Sequence, residues 1–441
     1  MDIWDAAKEI ANKILDTNGS IRLISHNDAD GIASSSIVAL SLLRENKQFH
    51  LSNVKGFNQE LIDRLKKESN SLIIITDLGS GQIELLKDID SKIIVIDHHL
   101  GNGTPPSNVY ELNAHKIEID GTYEACASSL AFTVSVSMNE KNWDLAPLAI
   151  AGIIGDRQNV GGLKGHNKQL VDSAVKNNSI KVVQSLSLYG ANLREALTYS
   201  VEPYILDYSG NLSKIDDVLK ELNIDGTTKV SMLTDNQISL LGSWIITKLI
   251  AQGAAPEQFD SLFTDQYYSD TMDFDVATLS TLLNSCGNHD DTSTGIGVCF
   301  NNPYSIEKSK KYQSDSQSLI LESMKRASND SQTLSAIQYF YTDKSSIKGA
   351  VCGLSMCQFL DQSKPTLVLF KSEDKVLISS RGTQSLVSKG LNLAEALRDA
   401  SSNFNGQGGG HPIASGATIP LGSESEFLET VNQIVSTQLS I

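Results

Sequence analysis

The sequence predicts an α/β protein: an N-terminal parallel-sheet domain, a helical connector and insertion, and a smaller C-terminal α/β domain. Three observations lead there. In the first 170 residues short β-branched runs alternate with helix-type segments, the rhythm of βαβ units. Several of those runs empty directly into Asp or His. After a helix-rich middle, strand signals return beyond residue 335. The expected boundaries are 1–170, 171–334 and 335–441.

The first run, Ile21 to Ser25, leads into His26-Asn27-Asp28-Ala29-Asp30-Gly31, and a small, apolar helix is expected from Ile32 to Leu43. Helices are also expected at Asn58 to Lys67 and Gln82 to Lys87. The run Leu72 to Thr76 ends at Asp77, and Ile93 to Ile96 ends at Asp97-His98-His99. Turn chemistry follows in Gly101 to Pro106. The run Ile150 to Gly155 reads as a fourth buried strand, ending at Asp156. In the middle segment, helices are expected at Gln237 to Ala251, Asp275 to Leu283 and Ser314 to Gln332. The last segment offers strands at Gly349 to Leu354, Thr366 to Phe370, Lys375 to Ser379 and Ala414 to Pro420. A helix is expected at Leu391 to Ser401.

Composition bounds the function. Apolar content of 40% with 20% charged residues fits a globular chain. No run of about 18 apolar residues occurs and the N-terminus carries no basic n-region, so neither a membrane span nor a signal peptide is expected. Five scattered cysteines, none in a CxxC pair, read as reduced thiols of a cytoplasmic protein. The net charge of −16 argues against a broad grip on duplex nucleic acid. That charge is uneven: residues 331–441 hold 8 basic and 9 acidic residues, so nearly all of the excess lies before them.

Open α/β sheets bind ligands at the carboxyl ends of their strands. Four acidic or His-bearing exits therefore converge on one place, bringing together His26, Asp28, Asp30, Asp77, Asp97, His98, His99 and Asp156. Taken singly, an Asp at such an exit is more often a helix cap, and His26 an ordinary loop residue. Taken together in this order, they describe a metal site. Bare carboxylates would repel one another, and divalent cations would offset that. Carboxylate oxygen with imidazole nitrogen suits Mn²⁺ or a similar ion, with Mg²⁺ the alternative. Two ions roughly 3.5–4 Å apart can activate water and stabilise a leaving oxygen.

The ordered set H-x-D-x-D-G, D, D-H-H and G-D resembles the DHH phosphoesterase superfamily. Gly408-Gly409-Gly410-His411, preceded by Ser380-Arg381-Gly382-Thr383, resembles its associated C-terminal domain. Within the superfamily the chain is most similar to the archaeal RecJ-like branch. The phrases Ser25 to Gly31, Gly155-Asp156-Arg157-Gln158 and Leu282 to Gly287 carry that narrower likeness. In small-molecule members the first His precedes the Asp pair by four positions; here it precedes Asp28 by two, the RecJ-like spacing.

The resemblance implies two ions, one held by His26, Asp28 and Asp77, the other by Asp30, Asp77, His98 and Asp156. Asp77 would bridge them, His99 would face the substrate phosphate, and Asp97 would orient a histidine. It also implies that the C-terminal domain folds over the metals, leaving an interdomain cleft too narrow for a duplex. There Arg381, Gly408, Gly409, Gly410 and His411 would hold substrate. Arg381 offers a planar fork and the glycines exposed N–H donors.

The expected function is a two-metal exonuclease on single-stranded DNA or RNA, acting in replication or repair. The alternatives are a small-substrate phosphodiesterase, of oligoribonuclease or cyclic-dinucleotide type, and a replisome scaffold docking on GINS or another replication protein. The bacterial RecJ proteins' extra OB-type domain is not expected, nor is a membrane partner. Weaker signals are discounted: Lys164 to Lys168 as a solvated loop, Phe300, Tyr304 and Phe404 as core, and Asn113 and His115 as structural.

Overall fold

The structure, a computed structural model, describes residues 2–272 and 274–440. The chain forms two compact units: Met1–Ser185 with Thr264–Ser314, and Leu186–Phe263 with Asp315–Ile441. The middle segment is thus shared between them.

In the first unit, helix α1 (Ile3–Leu15) precedes strand β1 (Ile21–His26), helix α2 (Ala29–Arg44), strand β2 (Phe49–Val54) and helix α3 (Gln59–Leu65). Strands β3 (Leu72–Thr76), β4 (Lys92–Asp97) and β5 (Val109–Asn113) follow, then helices α4 (Ala127–Met138) and α5 (Ala146–Gly155). The strands form one sheet in the order β2-β1-β3-β4-β5, every neighbour parallel.

The Ile-rich strands are apolar at successive positions because both faces are buried. Leu23, Ile74, Ile94 and Ile96 pack into one core, with α1, α2, α4 and α5. Their neighbours Ile24, Ile73, Ile75, Ile93 and Val95 point the other way, into a second core with Leu61, Ile62 and Leu65 of α3. Each such side chain contributes about 1.5–3 kcal/mol when fully buried. The order reverses beside β1: β2 lies on one side and β3 on the other. That switch point leaves a crevice at the strands' carboxyl ends.

Two sequence readings change. Ile150 to Gly155 is the second half of helix α5, not a strand, and Asp156 is that helix's C-cap. Six apolar residues buried on all sides have no periodicity to separate strand from helix. Gly152 and Gly155 let α5 approach closely: a Cβ on Gly152 would lie 2.4 Å from Asp30 Oδ1, and one on Gly155 2.7 Å from Ala29 Cβ.

The second unit holds a six-stranded mixed sheet. Its strands run in the spatial order Gln407–His411, Ala414–Pro420, Lys375–Arg381, Thr366–Lys371, Gln338–Tyr341 and Gln332–Thr333. Helices Leu393–Ser402 and Glu424–Leu439 cover one face. Gly349 to Leu354, expected as a strand, lies inside helix Lys348–Gln358, whose Val351 and Cys352 pack with Val368 and Phe340 in a separate core. The glycine-rich stretch is itself a sheet strand, Gln407–His411. Helices Leu193–Thr198, Leu212–Glu221 and Asp235–Ala251 build a further apolar core in the same unit. Among the described residues no helix is long and apolar enough to cross a membrane.

Candidate metal centre

All eight metal-site residues expected from the sequence meet at the switch point. β1 ends at His26, and Asp28 caps α2 by accepting from Gly31 N at 3.0 Å, which leaves its other oxygen 2.7 Å from His26 Nδ1. Gly31 is required there, because a Cβ would stand 2.4 Å from the His26 carbonyl oxygen. Asp30, in the first turn of α2, is buried and accepts from Ala127 N at 2.8 Å and Ser128 N at 2.9 Å, the N-terminus of α4.

Asp77 follows β3 with φ +60° and is 2% exposed. Its Oδ1 lies 3.3 Å from His98 Nε2 and its Oδ2 3.6 Å from His26 Nδ1, so the carboxylate stands between the two histidines. His98 Nε2 also lies 3.3 Å from Asp156 Oδ2 and 3.9 Å from Asp30 Oδ2. The opposite ring nitrogen, Nδ1, is 2.7 Å from the Gly121 carbonyl oxygen, which fixes the ring and aims Nε2 at the carboxylates.

Asp97, fully buried, accepts from the backbone N–H groups of Ser80, His98 and His99, and from His99 Nδ1 at 2.8 Å. Against its burial, the hydrogen bond from His99 holds the Asp97 carboxyl down at about 2. His99 is correspondingly raised, and its ring is 56% exposed. Asn113 supports this loop, donating to the His99 carbonyl at 2.9 Å and to Ser80 Oγ at 2.9 Å.

The electrostatics describe a cation site. Burial pushes Asp77 and Asp156 above the ordinary carboxylate range, and the neighbouring Asp30 adds to both shifts. His98 rises in spite of burial, through Asp77, Asp30 and Asp156. Asp77 Oδ2 is buried without a hydrogen bond among the described residues. The helix α5 C-terminus, with its partial negative charge, also ends at Asp156. Donor atoms of His26, Asp28 and Asp77 lie within 4.8 Å of one another, as do those of Asp77, Asp97, His98 and His99. Hard oxygen and imidazole donors, one buried oxygen unmet and excess negative charge are the features a divalent ion satisfies.

The substrate-binding residues expected from the sequence belong to the other unit. Arg381 ends its strand opposite Ala414, and His411 faces Ala414 from the other side, so Arg381 and His411 project from the same sheet face. The guanidinium lies over the start of helix Lys348–Gln358, where a Cβ on Gly349 would be 3.4 Å from Nη2. Gly408 packs on a helix, its notional Cβ 2.4 Å from the Leu397 carbonyl oxygen. Gly410 has φ +142°, and the space above Gly409 is open.

Other expectations shift. His166 and Asn167 are buried within a helix, not part of a solvated loop. Tyr304 is 73% exposed, so it is not core, and Phe300 is also exposed; Phe404 does pack on the second unit's core. Roles not assigned from the sequence belong to Gln158, whose amide donates to the Gly121 and Ala125 carbonyls, and to Asn284 and Gly287. Asn284 Oδ1 accepts from Ala29 N at 3.1 Å, and a Cβ on Gly287 would lie 2.0 Å from the Asn27 carbonyl oxygen. All three lie in phrases whose likeness to the RecJ-like branch was the only signal.

A parallel sheet whose switch point gathers carboxylates and imidazoles in this way defines a metal-binding α/β protein. Residues 20–153 match the DHH family, N-terminal domain, and residues 336–437 match the DHHA1 domain. The uncharacterized protein MJ0831 of Methanocaldococcus jannaschii is 33% identical over 446 residues, covering 99% of this chain and 98% of that protein. Exonuclease RecJ bound to manganese superposes with TM-score 0.60 at 14% identity, over 99% of this chain and 94% of that one. CDC45 from Entamoeba histolytica superposes with TM-score 0.68 at 10% identity, over 98% and 99% of the two chains. At these identities the structural likeness speaks for the fold. The chain belongs to the DHH phosphoesterase family, with a DHHA1 domain at its C-terminal end.

Proposed function

We propose that the protein is a metal-dependent exonuclease that hydrolyses phosphodiester bonds of single-stranded nucleic acid. The observation that carries this is the pair of donor groups meeting on Asp77, with a buried oxygen left free to take a cation. His26, Asp28 and Asp77 would hold one ion; Asp30, Asp77, His98 and Asp156 would hold the other. Manganese is the proposed metal, the ion named for the RecJ structure, and magnesium fits the same donors. Bound ions of this kind supply Lewis acidity at phosphorus and a nucleophilic water at neutral pH.

The remaining work falls to the chain's own groups. Asp97 fixes the His99 ring through Nδ1 and favours its protonated form, so that Nε2–H would bond a phosphate oxygen and deliver a proton to the departing alkoxide. Arg381 and His411, on one sheet face, are the proposed grip on a substrate phosphate. The net charge of −16 disfavours a broad electrostatic hold on duplex and leaves the grip on a strand to local contacts.

The test is a time course on single-stranded DNA and RNA labelled at either end, with Mn²⁺. Mononucleotides released first from one end support the proposal and fix polarity and sugar preference. Turnover of dinucleotides or cyclic dinucleotides alone would move the protein to the small-substrate class. Metal binding without any turnover would refute a catalytic role and favour a scaffold.

A further inference from the structure

One buried side chain ties together three residues proposed to hold the same ion. Gln158 lies two residues beyond Asp156 and is 3% exposed. Its Nε2 donates to the Gly121 carbonyl at 2.9 Å and to the Ala125 carbonyl at 3.2 Å. Its Oε1 accepts from Asn167 Nδ2 at 2.6 Å, so the amide's orientation is settled by acceptors on one side and a donor on the other.

Both carbonyls it holds lead to ligands. Gly121 O is the oxygen that also accepts from His98 Nδ1, at 2.7 Å. Gly121 is pressed against this loop, since a Cβ would lie 2.0 Å from the His98 carbonyl oxygen. Ala125 stands just before the α4 N-terminus, whose Ala127 and Ser128 N–H groups grip the two oxygens of Asp30. Asp156 is tied to Gln158 through the chain itself, and Gln158 N donates to the Ile153 carbonyl at 3.0 Å.

His98, Asp30 and Asp156 are the donors proposed for one ion alone. The other ion's own donors are fixed elsewhere: Asp28 by Gly31 N, and His26 by the end of β1, where Asn53 Nδ2 donates to its carbonyl at 2.6 Å. We infer that Gln158 is a positioning residue for one half of the two-ion centre, setting the affinity of the Asp30–His98–Asp156 position and leaving the His26–Asp28 position unaffected. The inference rests on the two-ion reading above.

Gln158→Met keeps the volume and removes both donors. Mn²⁺ binding to the full-length protein is followed by calorimetry and by electron paramagnetic resonance, with no substrate present. Two binding steps are expected in the wild type. In Gln158→Met one step should weaken by about 10–100-fold while the other stays put. Turnover should recover at raised Mn²⁺. Asn167→Leu, which removes the donor that orients the amide, should weaken the same step by less. It answers the question alone if Gln158→Met does not fold. Equal weakening of both steps would assign Gln158 a merely structural role, and no weakening would remove it from the centre; either overturns the inference. A wild type that binds no Mn²⁺ would refute the metal-dependent reading itself, a different and separable result.

Discussion

Replacing Asp77 by Asn should make the metal-free protein more stable and the enzyme inactive. Asp77 is 2% exposed, and burial followed by the charge of Asp30 pushes its carboxyl to about 6. A carboxyl whose pKa is raised by folding stabilises the fold fully below its unfolded value near 4; that benefit is lost as pH rises through about 6. At pH 7 the folded protein therefore bears the full cost of the charge. A shift of about two units corresponds to roughly 3 kcal/mol. Asn is the informative substitute because it keeps the shape and tolerates the observed φ of +60°. Ala would add left-handed backbone strain of about 1–2 kcal/mol and mask the gain. Thermal melts at pH 7 in EDTA should show Asp77→Asn above wild type by several degrees. With Mn²⁺ the order should reverse, because Asp77→Asn forgoes metal-binding energy that the wild type gains. Oligonucleotide turnover should be lost. An Asn variant no more stable than wild type without metal, or one retaining Mn²⁺-dependent turnover, would refute the reasoning.

Three further outcomes test other parts of the structure. Asp97→Asn should cost roughly 2 kcal/mol of stability at neutral pH, since its carboxyl is held at about 2, and should slow turnover by about 10²-fold, with Mn²⁺ affinity nearly unchanged by titration. That stability contribution is present above pH 4 and lost as pH falls toward 2, because folding lowers this carboxyl's pKa. Gly31→Ala forces a Cβ to within 2.4 Å of the His26 carbonyl oxygen, so denaturant unfolding should show a loss of about 1–3 kcal/mol or more, accompanied by weaker metal binding. His166 is buried, with Nε2 bonded to Thr133 Oγ1 and Nδ1 lacking a partner among the described residues; burial lowers it to about 4. Its neutral form is the folded one, so the contribution of His166 should fall by about 3 kcal/mol as pH drops from 6.5 to 4, opposing the gain from Asp77 over the same range. Melts taken across that range should show the stability of His166→Leu relative to wild type rising as pH falls.

How much of this was legible in the sequence depended on whether a local pattern had one reading or two. The strand runs Ile21 to Ser25, Leu72 to Thr76 and Ile93 to Ile96 were legible because β-branched residues bounded by turns have little else to be. Helix α4 was not, since Thr133-Val134-Ser135-Val136-Ser137 alternates like a strand. Its hydroxyls are instead satisfied along a helix, Thr133 bonding to the Ser129 carbonyl and Ser137 to that of Thr133. Strand β5 was missed because Tyr110 and Glu111 are polar and only half-buried at the sheet edge.

The candidate ligands could be gathered from the sequence because metal chemistry allows few residue types, whereas what holds them in place could not. Asp30 is gripped by backbone N–H groups 97 and 98 positions away, and backbone carries no residue signature. Gln158 and Asn284 act through carbonyl and amide contacts that many side chains could make in other surroundings. Asp156 shows the consequence most directly. Its place among the candidate ligands followed from its type and its neighbours Gly155 and Gln158, and the structure brings it to His98, although the element predicted to deliver it was wrong. A helix C-terminus in place of a strand end changes the site's physics: the negative end of the helix dipole lies at Asp156 and makes a bare centre more negative. The misread element thus adds an independent reason for cations, one that the sequence pattern could not supply.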